Sequence, residues 1–96
     1  MRLTAEQISI IHEALQGSAL PNPQAYLFGS RLRDAAAGGD IDLVVVSDQE
    51  LGLMRRAGLQ ATIEGRLGIP VDVVAVKRGA PLTPFQRIAL EQAIPL

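Results

Sequence analysis

Apolar positions recur along this chain with two different periods, and the switches between them outline its elements. From Ala5 to Gln16, Ile8, Ile11 and Leu15 fall at i, i+3 and i+7, which marks one apolar face of a helix. Thr4 and Gln7 have capping-box spacing, so each side chain can bond a backbone N–H left free at the helix start. Gly17 and Ser18 end that helix, and Leu20 to Pro23 reads as a loop. Ala25 to Phe28 is a short apolar run halted by Gly29-Ser30, a strand feeding a tight turn. Arg31 to Ala37 has the makings of a short helix broken by Gly38-Gly39. Asp40 to Ser47 is the clearest strand, because its Leu43-Val44-Val45-Val46 run suits burial on both faces.

Beyond that strand, Ser47 and Glu50 have the spacing of a second capping box, which predicts a helix from Asp48 to Leu67. Leu51, Met54, Gly58 and Ala61 would form one stripe, with Leu59, Ile63 and Leu67 beside it. Glu64 and Arg66 read as a solvated face, and Gly68 stops the helix. Val71 to Val76 is another buried strand, followed by a Gly- and Pro-containing loop from Lys77 to Leu82. Thr83, Pro84 and Gln86 form a third helix start, with Ile88, Ala89 and Ala93 as its apolar face and Pro95-Leu96 as a tail. This order predicts an α+β fold: one domain over residues 1–96, with a small mixed β-sheet covered by helices mainly on one face.

Composition narrows the picture. With 48% hydrophobic and only 3% aromatic residues, the core must be aliphatic. A net charge of -1 supplies no general attraction for nucleic acid, and Tyr26, Phe28 and Phe85 are too few for a single-strand stacking platform. No nucleic-acid partner is expected. The chain has no cysteine, which excludes thiol chemistry and thiolate metal sites. No apolar run approaches the ~18 residues of a membrane span, and no signal-peptide pattern opens the chain, so a cytoplasmic location without a membrane partner is expected.

The acidic residues carry candidate chemistry. Asp40 and Asp42 are two apart on a strand and point to one face, with Val44 and Val46 continuing that face. Like charges held so close repel unless a cation or proton intervenes, and hard oxygen ligands suit Mg2+. Asp72 repeats the pattern with Val74 and Val76 behind it. If the two strands pair, three carboxylates can hold two metals roughly 3.5–4 Å apart for phosphoryl transfer. Taken singly, an Asp-x-Asp is also what a turn or a solvated strand end looks like. Gly29 permits close backbone approach to a phosphate, Ser30 would sit at a helix N-terminus, and Arg31 and Arg33 add positive charge. A plain turn with a serine cap and two solvated arginines has the same sequence. His12, the one histidine, reads as a surface or structural residue, and Tyr26 as packing.

Gly29-Ser30-Arg31-Leu32-Arg33, a short spacer and Asp40-Ile41-Asp42-Leu43 together resemble the signature of the DNA polymerase beta-like nucleotidyltransferases. Val71-Asp72-Val73-Val74 is similar to their third-carboxylate strand, and the size resembles the minimal nucleotidyltransferase (MNT) group. The resemblance implies that Gly29 and Ser30 hold the β- and γ-phosphates of ATP or another nucleoside triphosphate. It implies that Asp40 and Asp42 bind Mg2+, and that Asp72 completes the metal site near the attacking hydroxyl. Arg31 and Arg33 match frequent arginines of the family. Two positions depart from its pattern: Asp34 replaces a frequent glycine and Gly39 a frequent serine.

The resemblance also implies a partner, because minimal nucleotidyltransferases are often antitoxins paired with an all-helical HEPN toxin, and some transfer AMP to it. No extension follows Leu96 to supply an acceptor pocket, so the acceptor is expected from outside this chain. Two alternatives share the fold: a non-catalytic neutralising partner, and a nucleotidyltransferase acting on a small molecule of the aminoglycoside kind. Chain length disfavours the second.

Overall fold

The structure, a computed structural model, describes residues 3–29 and 40–96. Ser30, Arg31, Arg33, Asp34 and Gly39, with the short helix expected at Arg31 to Ala37, lie outside the described residues. The first helix, α1, spans Ala5–Gly17, and Thr4 and Gln7 form the expected capping box. Strand β1 (Gln24–Phe28) leads to the glycine turn, and β2 covers Ile41–Ser47. Helix α2 (Leu53–Leu67) crosses to β3 (Val71–Lys77), and α3 (Pro84–Gln92) precedes a two-residue β4 (Ile94–Pro95).

The sheet order is β3-β2-β1-β4, with β2 and β3 parallel and the other pairs antiparallel. Alternation along the strands separates two apolar layers. Ala25, Leu27, Ile41, Leu43, Val45, Val71 and Val73 pack with Ile11 and Leu15 of α1 and Leu59 and Ile63 of α2. Fully burying one such aliphatic side chain contributes about 1.5–3 kcal/mol, so this layer supplies most of the hydrophobic stabilisation. On the opposite face Val44, Val46 and Val76 meet Ala89 of α3, and Tyr26, Phe28 and Val74 flank them. Two helices thus cover one face and α3 part of the other.

Several boundaries and faces differ from the sequence reading. Helix α2 begins at Leu53, not Asp48, with Gly52 as an N-cap that makes no side-chain bond. The Ser47 hydroxyl is buried and donates to the Gln49 carbonyl, so it caps nothing. Asp48 is held by tertiary bonds: it accepts from Asn22 Nδ2 and from Arg78, and its N–H donates to the Pro21 carbonyl. Those bonds prevent residues 48–52 from starting the helix. The stripe of Met54, Gly58 and Ala61 faces solvent, with Met54 83% exposed, while Leu59 and Ile63 are the buried pair. Ile88 is exposed and Ala89 alone is fully buried on α3. The expected tail pairs instead as β4, and the Leu96 N–H donates to the Ala25 carbonyl.

Glu64 is not a solvated residue. Its Oε2 accepts from Val71 N–H at 2.8 Å, Gln60 Oε1 accepts from Val73 N–H at 3.0 Å, and the Arg56 guanidinium donates to the Val73 carbonyl at 3.3 Å. Gln86 Nε2 donates to the Ala75 carbonyl at 3.2 Å. The outer edge of β3 is therefore satisfied by side chains at i, i+4 and i+8 of α2 and by α3. That closes an edge open to strand addition and fixes the register of the strand bearing Asp72.

Candidate active site

Backbone register builds the site. Asp42 is opposite Asp72 in the parallel β2–β3 pair and opposite Phe28 in the antiparallel β1–β2 pair. Phe28, Asp42 and Asp72 thus form one row across the sheet, on the face that carries α3. Neighbouring strands lie about 5 Å apart, so the two carboxylates are immediate neighbours, as expected if the strands paired. Asp40 precedes β2 by one residue and is exposed.

The electrostatics follow from this row. The Asp42 carboxyl is pushed above its ordinary value by partial burial first, then by the negative charges of Asp72 and Asp40. No cationic group offsets that repulsion in the described part of the site. A cation would, and the donor set is all carboxylate oxygen, the chemistry hard divalent ions prefer. Among the described residues no three acidic, histidine or cysteine side chains come together as a group that could hold a metal ion; register pairs Asp42 with Asp72, and Asp40 lies just ahead of the strand. The site is an open carboxylate edge, which fits an ion that keeps water and substrate oxygens in its shell, as Mg2+ does.

Gly29 closes the other side. Its φ is +82°, a left-handed conformation that favours glycine. A Cβ there would collide with Asp42 Oδ2 and lie 3.1 Å from Asp42 Cγ. The turn after β1 therefore runs directly against the Asp42 carboxylate. Sequence reading identified Gly29 for phosphate approach; its packing on Asp42 depends on strand pairing and has no local signal. Phe28 also gains a role in the site's wall, since its ring meets Phe85 of α3 edge-to-face with centroids 6.2 Å apart. His12 lies on exposed α1 surface, away from this row. A cavity of about 390 Å³ opens elsewhere, lined by residues that include Glu50, Lys77, Thr83 and Gln86 at the far end of β3. It contains none of the three aspartates.

Comparison with known proteins gives a consistent pattern. The family model described as "Polymerase beta, Nucleotidyltransferase" matches residues 6–95. No curated protein matches the sequence. Among solved structures, a chain from the complex of a tri-AMPylated Shewanella oneidensis HEPN toxin with an MNT antitoxin superposes with a TM-score of 0.71 at 25% identity, over 94% of this chain and 68% of that one. A toxin–antitoxin structure with AMP-PNP gives 0.74 at 25% identity, over 97% and 72%. A structure described as a minimal nucleotidyltransferase gives 0.63 at 29% identity, over 96% and 90%.

Proposed function

Because this chain belongs to the polymerase beta nucleotidyltransferase family, we propose that it transfers AMP from ATP to a hydroxyl of a partner protein, as the antitoxin of a HEPN-type toxin. The observation that carries the chemistry is the adjacent Asp42–Asp72 pair with the Gly29 backbone packed against it. The partner is supported by the similarity to the HEPN–MNT complex and to the toxin–antitoxin structure with AMP-PNP. The reading places the enzyme in the cytoplasm, where ATP and Mg2+ are supplied.

In this reading Asp40 and Asp42 hold Mg2+, and Asp72 completes the site on the acceptor side. When bound, the metal neutralises the triphosphate and favours the ionised acceptor oxygen. Gly29 and Ser30 anchor the β- and γ-phosphates through backbone N–H groups and hydroxyl, and Arg31 and Arg33 balance their charge. Asp72 accepts the acceptor's proton as the oxygen attacks the α-phosphorus. The bond to the bridging oxygen breaks, pyrophosphate leaves, and a phosphodiester joins AMP to the acceptor.

Labelled ATP incubated with the purified chain, Mg2+ and the protein encoded beside it should label that neighbour. Equal labelling by wild type and Asp42→Ala, or none by either, would defeat the proposal. The departures at Asp34 and Gly39 favour a second reading, a neutralising partner without turnover. That reading fails if Asp40→Ala and Asp42→Ala still form the complex but no longer neutralise.

A further inference from the structure

The chain has one tyrosine, two phenylalanines and no tryptophan, and all three aromatic rings gather on the sheet face that carries the aspartates. Tyr26 and Phe28 alternate on β1, and Phe85 reaches Phe28 from α3. The rest of the core is aliphatic. Phe85 remains 58% exposed, although it sits in the first turn of a helix whose start is locked by Pro84 and the Thr83–Gln86 capping box. A large apolar ring held rigidly in solvent beside a charged site offers a flat surface to something that is not in the chain itself.

We propose that Phe85, backed edge-on by Phe28, is the wall on which the base of the bound nucleoside triphosphate stacks. This rests on the nucleotidyl-transfer reading of the aspartate row. Gly29 lies on the β1 side of Asp42 and Asp72 on the β3 side. With phosphates anchored at Gly29 and the acceptor oxygen at Asp72, the in-line axis of displacement at the α-phosphorus runs across the strands. The ribose oxygen on that phosphorus is then equatorial, so ribose and base project away from this axis. One direction open to them runs along the strands toward α3, where Phe85 is the exposed ring beside Phe28. Stacking is tolerant of base identity, which agrees with the lack of any base-reading motif.

Equilibrium binding in Mg2+ separates the parts. Phe85→Ala should weaken ATP by about tenfold or more, the scale of one lost base–aromatic stack. It should leave inorganic tripolyphosphate binding unchanged, and Phe85→Trp should restore ATP binding and report it by fluorescence quenching. Phe85→Leu keeps the bulk without the π face and should resemble the alanine variant. Wild-type ATP affinity in Phe85→Ala overturns the proposal, as does a parallel loss of ATP and tripolyphosphate, or a rise confined to the KM of the protein acceptor. If wild type binds neither ATP nor tripolyphosphate, the nucleotidyl-transfer reading itself fails and this inference falls with it.

Discussion

The two ends of the β2–β3 strand pair carry the same residue type in opposite electrostatic states. At the entry end Asp42 faces Asp72 and Asp40, and burial with like charge raises its pKa. Just beyond the exit end Asp48 is held below its ordinary value by the Asn22 side chain first and then by Arg78. Arg78 also donates to the Asn22 carbonyl, so the exit-end carboxylate ties three loops together. One carboxylate is satisfied by the chain and stabilises it; the other is left repelled by its neighbours, open to an external cation. In the same two strands, the entry-end carboxylates are the ones that would gain from a cation, and the proposed site lies there.

Four perturbations test that contrast. The largest effect is expected at the entry end, where Asp42→Ala should lower AMP transfer by on the order of a hundredfold or more and abolish the melting-temperature rise expected of the wild type in Mg2+. An unchanged rise would remove Asp42 from the metal site. Gly29→Ala comes next. Its methyl meets the Asp42 carboxylate at a φ of +82°, so a loss of about 1–3 kcal/mol is expected in denaturant unfolding. A variant as stable as wild type would show that the turn relaxes freely.

Smaller effects separate repulsion from support. Asp42→Asn without metal removes a charge that Asp72 and Asp40 oppose, so the metal-free protein should melt slightly higher while losing its Mg2+ response. A lower melting temperature would mean that the carboxylate supports the fold. The smallest change belongs to the exit end, where Arg78→Ala releases one of the bonds that lower the Asp48 pKa. A group with a depressed folded pKa contributes stability above its ordinary value, 3.8 here, and loses it as pH falls through the folded value. The gap between wild type and Arg78→Ala should therefore stay constant from neutral pH to about 4 and close below it. A gap that persists in acid would assign the Arg78 effect to packing.

Much of this molecule was legible along the chain. The capping residues of α1 and α3, the β-branched runs of β2 and β3, and the αL glycine at 68 are local signals, because each depends on neighbours within a few positions. The shared face of Asp42 with Val44 and Val46, and of Asp72 with Val74 and Val76, follows from strand alternation alone. What neighbours in sequence cannot specify is which strands lie side by side. Only the parallel β2–β3 register brings Asp42 beside Asp72, and only the antiparallel β1–β2 register packs Gly29 and Phe28 on that row. The same holds for Asp48, whose bonds to Asn22 and Arg78 delayed α2 past its apparent cap. It holds again for Gln60 and Glu64, polar in sequence but turned onto the edge of β3. Local periodicity determined most of the elements and the shared face of Asp42 and Asp72. Tertiary pairing decided which charges meet, because electrostatic and hydrogen-bond energies depend on distances across the fold that the order of residues does not contain.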